Sequence, residues 1–295
     1  MHRRYFMLVV LLFVAVPLFA AHRWGSYHWS RSCGTCARTI EVRRSLSVTS
    51  VANWPDHAYK SIYGDPANPN TANRRGWNDS EVLTLNVTNG SSETYYRQNC
   101  PAISGAVRVC NYAYGSTGWA GLAQINTVSG TSHIAWGTAK MNDTYYTTNN
   151  DPWERHVMCQ EIGHDWGLGH TSENGSSQNT CMDYYRNSST NWTSTGPNQH
   201  DFDQIRTQHH WGTSQSLPAQ VFASSLGNYP VDVNNLNKPW EWGTPIEWDP
   251  EGRASGFVLH LGTDDHGNEQ NLYTFVTWAP VGAGHERPKR DAAFE

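Results

Sequence analysis

The chain has 295 residues, a polar composition and a formal net charge of only −5. That length suits one medium-sized domain plus an extension, and the charge lacks the basic surplus that marks nucleic-acid-binding proteins. Six cysteines indicate three disulfides if the chain is exported. We therefore expect a secreted (extracellular or periplasmic) monomer with no nucleic-acid partner.

Residues 1–21 resemble a secretory signal. A positively charged start at 2–4 precedes an apolar run at 6–19, and the small residues Ala20 and Ala21 suit cleavage. The run is shorter than the ~20 residues that a membrane span needs. We expect it to be removed, which leaves no stable membrane span; an uncleaved anchor is the alternative.

The next part of the chain predicts an α+β fold. A strand at 39–49 and a helix at 55–64 come first. Further strands follow at 81–88, 106–115, 121–128 and 133–141, separated by Gly, Ser and Asn. This order favours a mixed sheet with its helices segregated.

The best-marked helix is predicted for residues 151–166. Asp151 is expected to cap it, Pro152 suits the first turn, and Glu154 has the position of a capping-box acid. Gly167 is expected to end it. A last helix is predicted within 198–210.

The character of the sequence changes after Trp211. Residues 212–220 resemble a linker, and the strands predicted at 256–262 and 271–280 form a hairpin. We divide the chain into a signal at 1–21, a domain at 22–212 and a β-rich extension of unknown role at 213–295. A charged tail from 285 is expected to be disordered.

The stretch 159–170, CQEIGHDWGLGH, places metal-binding side chains at helical spacing. Positions 160 and 164 are four apart and share one helix face, and Glu161 lies one step around from Gln160. A turn at Gly167 lets the chain fold back, so that His170 can join His164. Three ligands with a fourth position for water are the arrangement of a catalytic zinc site.

This stretch, followed by CMDYY at 181–185, resembles the metzincin clan of zinc endopeptidases. The resemblance implies a Zn²⁺ cofactor held at positions 160, 164 and 170, with Glu161 as general base. It also implies that Met182 supports the metal from a Met-turn and that Tyr184 assists catalysis. The implied fold is a mixed twisted sheet, an active-site helix, a Met-turn and a C-terminal helix. An edge strand at 121–125 would bind an extended peptide or protein substrate by strand addition.

Gln160 departs from that pattern, which has histidine at this position. Gln160 either ligates weakly in a working enzyme, leaves a two-histidine site that another group completes, or belongs to a site without metal. We adopt the first interpretation, a secreted zinc endopeptidase. The alternative is a catalytically impaired secreted binding protein on the same scaffold.

The cysteines are predicted to form three pairs, although six cysteines allow 15 pairings. Cys159 and Cys181 would join the ligand helix to the Met-turn, and Cys100 and Cys110 would close a short loop between strands. Cys33 and Cys36 remain as a structural disulfide, with a redox pair or half of a zinc ribbon as alternatives.

Two other features have competing interpretations. His156 is either a surface histidine, which we favour, or a partner that orients Gln160. The 14 tryptophans indicate core and loop packing rather than a carbohydrate-binding platform.

Overall fold

The computed structural model describes residues 25–280 except 32, 149, 172–173, 211–231 and 264–266. The predicted signal, the boundary at 212/213 and the charged tail lie outside these residues. The described part has an α+β fold with one mixed eight-stranded sheet and four α-helices.

The order of helices and strands along the chain follows the prediction except for α2 and β6. The helices are α1 (Trp54–Tyr63), α2 (Thr94–Asn99), α3 (Asp151–His164) and α4 (Gln199–Gln208). The strands are β1 (Arg38–Ser45), β2 (Leu83–Asn89), β3 (Ala106–Tyr112), β4 (Trp119–Thr127), β5 (Ile134–Asn142), β6 (Thr244–Trp248), β7 (Ala254–Thr263) and β8 (Glu269–Trp278). Short 3₁₀ turns occur at Thr71–Asn73, Trp77–Asp79, Asp143–Tyr145 and Pro239–Glu241.

The sheet order is β2-β1-β3-β5-β4-β8-β7-β6. Strands β2, β1, β3 and β5 are parallel to one another, and β4 is antiparallel to β5. The strands of the predicted extension continue this same sheet, because β8 pairs antiparallel with β4 and β7 pairs with β8. The predicted hairpin at 256–280 is therefore present, as part of the main sheet.

The prediction that residues 121–125 form a sheet edge is wrong. Strand β8 pairs with β4 from Trp119 to Asn126, on the side away from β5. Strand β8 is buried on both faces, with Phe275 in one core and Val276 in the other. A strand buried on both faces belongs inside a sheet, so β4 has no free edge for a peptide.

The two faces of the sheet carry separate cores. The first lies under α1, α3 and α4 and includes Trp54, Trp77 and Trp166. The second lies on the opposite face, where Trp242 and Phe257 of the C-terminal part pack against the side chains of β4 and β5. Each fully buried side chain of this size contributes about 2–3 kcal/mol, so residues 232–280 are an integral part of the fold.

The tryptophans mainly fill these cores, as predicted. Seven are fully buried: Trp29, Trp54, Trp77, Trp119, Trp136, Trp166 and Trp242. Trp240 and Trp248 are exposed, at 72% and 44% of their surface.

The start of α3 differs slightly from the prediction. Asn150 has the N-cap position, and Asp151 is the first helical residue. Glu154 nevertheless acts as the predicted acid, because its Oε1 accepts a hydrogen bond from the Asn150 backbone N–H at 2.9 Å. The short helix α2 and the strand β6 were not predicted, since neither has a clear period of its own.

All three predicted disulfides form: Cys33–Cys36, Cys100–Cys110 and Cys159–Cys181. They are consistent with an extracellular or periplasmic protein. Among the described helices, none is both long and apolar enough to cross a bilayer.

Candidate active site

Helix α3 is held rigidly between the sheet and the segment around Met182. Gly163 lies against Met182, and a Cβ added at Gly163 would be 2.3 Å from the methionine sulfur. The Cys159–Cys181 disulfide joins the same two segments, and the Trp77 indole N–H donates to the Cys159 carbonyl at 3.1 Å. Because glycine has no side chain, the buried methionine packs directly under the helix.

The turn after α3 brings the two predicted histidine ligands together. Gly167 has a φ of +85°, a left-handed conformation that favours glycine, and a Cβ there would lie 2.1 Å from the Tyr27 carbonyl oxygen. The chain reverses at this point, and the His164 and His170 rings meet edge to face with centroids 4.7 Å apart.

Both histidines have their Nδ1 atoms engaged. His164 Nδ1 lies 2.7 Å from the Leu168 carbonyl oxygen, and His170 Nδ1 lies 2.5 Å from Glu247 Oε1. Since both partners are acceptors, each Nδ1 carries a proton, and Nε2 is the ring nitrogen that could bind a metal. This is the tautomer that a metal-ligating histidine adopts. His170 Nε2 is buried and has no hydrogen-bond partner among the described residues.

Aromatic rings fix both imidazoles further. Phe275 of β8 stacks on His164 with centroids 4.2 Å apart and an interplanar angle of 3°. Tyr184 stacks on His170 with centroids 3.9 Å apart. The ring planes are therefore set by packing as well as by hydrogen bonds.

Gln160 has one defined orientation. Its Nε2 donates to the Asp183 carbonyl oxygen at 2.7 Å. A carbonyl oxygen can only accept a hydrogen bond, so the amide nitrogen must be the end that faces it. The amide oxygen therefore points the other way, where it accepts a hydrogen bond from the Thr277 hydroxyl at 2.6 Å. This oxygen is the atom that would ligate a metal.

Glu161 is fully buried beside Gln160, and Thr277 Oγ1 also contacts its Oε1. Burial raises the pKa of Glu161 to about 8, against the opposing effect of hydrogen bonds from Thr277. The single Thr277 proton cannot serve two acceptors. A protonated Glu161 that donates to Thr277, which in turn donates to the Gln160 amide oxygen, accounts for both contacts of this hydroxyl. Glu161 Oε2 has no hydrogen-bond partner within the described part of the chain.

The Tyr184 hydroxyl donates to Glu247 Oε1 at 3.0 Å and lies 2.7 Å from Ser255 Oγ. Burial, and then the nearby Glu247 carboxylate, raise the pKa of Tyr184 well above its usual value. The hydroxyl therefore keeps its proton and can donate it in a hydrogen bond.

A cavity of about 330 Å³ opens beside this group. Its wall includes Gln160, Tyr184 and Thr277, together with Arg186 and Arg253. The size falls at the lower end of the range for ligand-binding pockets, ~300–1,000 Å³.

The structure adds three residues that sequence reasoning missed, namely Glu247, Phe275 and Thr277. All three belong to the predicted extension, more than 75 positions after His170, and no motif marks them. The only sequence signal in this region was the hairpin pattern of β7 and β8, and that pattern does not show which strand of the sheet the hairpin pairs with.

His156 is not the surface histidine that the sequence suggested. It is 1% exposed, stacks on Trp153 and places its Nδ1 2.7 Å from the Ser194 carbonyl. The side chain therefore packs inside the protein, because α3 is covered on nearly every face.

His57, Asp151 and Glu154 form a separate group that could hold a metal ion. His57 Nε2 lies 3.0 Å from Glu154 Oε2 and 4.0 Å from Asp151 Oδ1. The group was not predicted, since His57 lies 94 residues before Asp151, and nothing in it selects one metal.

No protein-family model matches the sequence, and a comparison with curated proteins finds no match.

Proposed function

We propose that the chain is a zinc-dependent endopeptidase of the metzincin type. The observation that carries the proposal is the convergence of His164 and His170, both with their Nδ1 protons engaged, next to the buried Glu161. The motif at 159–170 and the Met182 segment carry the resemblance, and a mixed α+β sheet is compatible with it. Strand β8 covers the strand that the resemblance would make an edge.

The donor set fits zinc. His164 Nε2, His170 Nε2 and the Gln160 amide oxygen would hold the ion, and nitrogen and oxygen donors of these types bind Zn²⁺ in proteins. The buried Nε2 of His170 and the buried Oε2 of Glu161 have no other hydrogen-bond partner in the described chain. When bound, zinc lowers the pKa of a water to about 7 and polarises a carbonyl group.

The protein's own groups then have defined tasks. Glu161 accepts a proton from the attacking water and returns it to the leaving amine nitrogen, as a general base and then a general acid. Burial raises the pKa of Glu161 to about 8 in the metal-free protein, so the carboxyl must first lose its proton, which the positive charge of a bound zinc ion would favour. The Tyr184 hydroxyl, which donates its one proton to Glu247 here, would turn that proton to the developing oxyanion. Met182 packs under the ligand helix at Gly163.

The substrate is an extended peptide or protein, but it does not bind by adding a strand to β4. Strand β8 occupies that position. The peptide would instead approach through the cavity beside Gln160 and Tyr184. Four charged side chains in the cavity wall form two ion pairs. Arg253 pairs with Asp249, and Arg186 pairs with Glu251.

The second candidate is a secreted binding protein without catalytic activity. Thr277 favours it, because its hydroxyl touches both Gln160 and Glu161, close to where a reacting water would need to be. In the enzyme, that hydroxyl must share the site with water and substrate.

The deciding experiment compares the wild type with Glu161→Gln. We expect the zinc-loaded wild type to cleave denatured casein and the variant to retain zinc with a rate at least 100-fold lower, the effect of losing a general base. Glu93→Gln, a change at an exposed position just before α2, is the matched control. Zinc-free purified protein that also takes up none on titration, or equal cleavage by wild type and variant, would exclude the enzyme.

A further inference from the structure

The C-terminal part of the chain supplies a carboxylate to the site. Glu247 of β6 is 14% exposed at its side chain and contacts His170 Nδ1 at 2.5 Å and the Tyr184 hydroxyl at 3.0 Å. Position 247 is 77 residues beyond His170, and β6 has no other described residue with a side-chain bond to either group.

The local backbone directs this side chain inwards. The register of β6 on β7 shifts on both sides of Glu247, between Pro245 and Glu247 and again before Trp248. Such irregularities re-aim side chains in a strand. The partner opposite Glu247 is Gly256, where an added Cβ would be 2.8 Å from the Glu247 Cβ. Glycine at 256 thus leaves the room that Glu247 occupies.

The carboxylate acts on His170 in a specific way. An acceptor at Nδ1 keeps the proton on that atom and turns the Nε2 lone pair away from Glu247. The ring is then fixed between two contacts, the Glu247 bond at one edge and the Tyr184 stack on its face. Glu247 also holds the Tyr184 hydroxyl, so one carboxylate orients both groups.

We propose that Glu247 is a positioning residue, contributed by the C-terminal part of the chain, that presents His170 Nε2 to the metal. The inference rests on the proposed function. It gives the predicted extension a role: residues 232–280 complete the site and are not a detachable inhibitor. Their burial in the second core and their pairing along the whole of β4 agree with a permanent part of the molecule.

The test measures zinc binding to the full chain by competition with a chromophoric chelator. We expect Glu247→Gln to weaken zinc binding 10–100-fold, the usual effect of losing a partner of a metal-ligating histidine. Glu269→Gln removes the same charge from an exposed position of the same segment and should leave affinity unchanged. Gly256→Ala, which displaces Glu247 without removing it, should weaken binding in the same direction.

Two further measurements separate positioning from a general loss of structure. The cobalt-substituted Glu247→Gln protein should show an altered visible absorption spectrum, whereas its thermal unfolding without metal should match the Glu269→Gln control. In the metal-free wild type, ¹⁵N NMR should find His170 with its proton on Nδ1, and in Glu247→Ala as a mixture of tautomers.

The outcomes distinguish this inference from the proposed function. If the wild type binds zinc and Glu247→Gln binds it equally with an unchanged cobalt spectrum, the positioning role is wrong and the enzyme proposal stands. If Glu247→Gln cleaves peptide faster, the segment blocks the site and the inference is overturned. If the wild type binds no zinc, both the enzyme proposal and the metal-presenting role fail. The NMR measurement would then show only whether Glu247 keeps the proton on His170 Nδ1.

Discussion

Gln160 is the residue on which the two candidate functions diverge. The Asp183 carbonyl fixes which end of the amide faces the site, and it places the oxygen there rather than the nitrogen. An uncharged amide oxygen is a weaker zinc ligand than an imidazole nitrogen. The hydrogen bond to Asp183 already fixes the Gln160 amide, so its side chain need not rotate before it binds zinc. The contacts of Gln160 therefore match a glutamine at this position, where the metzincin pattern has a histidine.

A substitution of one atom tests this orientation. Gln160→Glu removes the donor that faces the Asp183 carbonyl and puts a carboxylate oxygen against it in a buried position. We expect the free energy of unfolding of the metal-free protein at pH 8 to fall by about 1–3 kcal/mol, the cost of leaving a buried group unsatisfied.

Urea denaturation measures this loss, with the exposed Gln98→Glu in α2 as the control. Equal stability of the two variants would show that Asp183 does not hold the amide.

At the scale of elements, α4 is joined to the start of the described chain by a histidine cluster. The His28 ring lies 4.6 Å from His133, 5.7 Å from His209 and 5.0 Å from His210, measured between centroids. His209 accepts from the Trp29 backbone N–H at Nε2, and its Nδ1 lies 2.8 Å from the Ile205 carbonyl oxygen. His209 must be neutral in this contact, because its Nε2 accepts a hydrogen bond and so carries no proton.

The cluster predicts loss of stability in acid. Burial lowers the pKa of His133 to about 4 and of His209 to about 3, with repulsion from neighbouring histidines and, at His209, from Arg31 adding to the effect. Because these values lie below the unfolded value of about 6.5, the unfolded chain binds more protons as pH falls. Stability is then full above about pH 6.5 and decreases towards pH 4 and below.

His133→Gln should make this decrease shallower, by up to about 1.4 kcal/mol per pH unit. Urea unfolding at several pH values between 7 and 4 measures the slope, and the exposed His260→Gln is the control. Identical slopes for wild type and His133→Gln would contradict the burial of a neutral His133.

At the scale of the whole molecule, the site is assembled from the middle and the C-terminal part of the described chain. Helix α3 provides Gln160, Glu161 and His164, while strands β6 and β8 provide Glu247 and Thr277. The eight-stranded sheet brings these elements together, since β8 pairs with β4 directly beside α3. Strands β6 and β8 thus bring residues of the predicted extension into the same sheet as the strands of the predicted domain.

Much of this architecture could be predicted from the sequence because its signals are local. The alternation in β1 to β5, the helix signals around α3 and the cysteine spacing each depend on neighbouring residues, and all three disulfides were predicted. Strands β4 and β8 pair across more than 140 residues, for example at Leu122 and Val276. This pairing depends on burial on both faces of the sheet, and no local sequence pattern indicates it. For the same reason Glu247 and Thr277 could not be identified beforehand.

The central claim is that zinc binds between His164 and His170 with Gln160 as the third ligand. Anomalous diffraction at the zinc edge, from crystals of the zinc-loaded protein, tests it most directly. We predict one strong peak within about 2.0–2.3 Å of His164 Nε2, His170 Nε2 and the Gln160 amide oxygen. No peak there, or a peak only at His57, Asp151 and Glu154, would contradict the account.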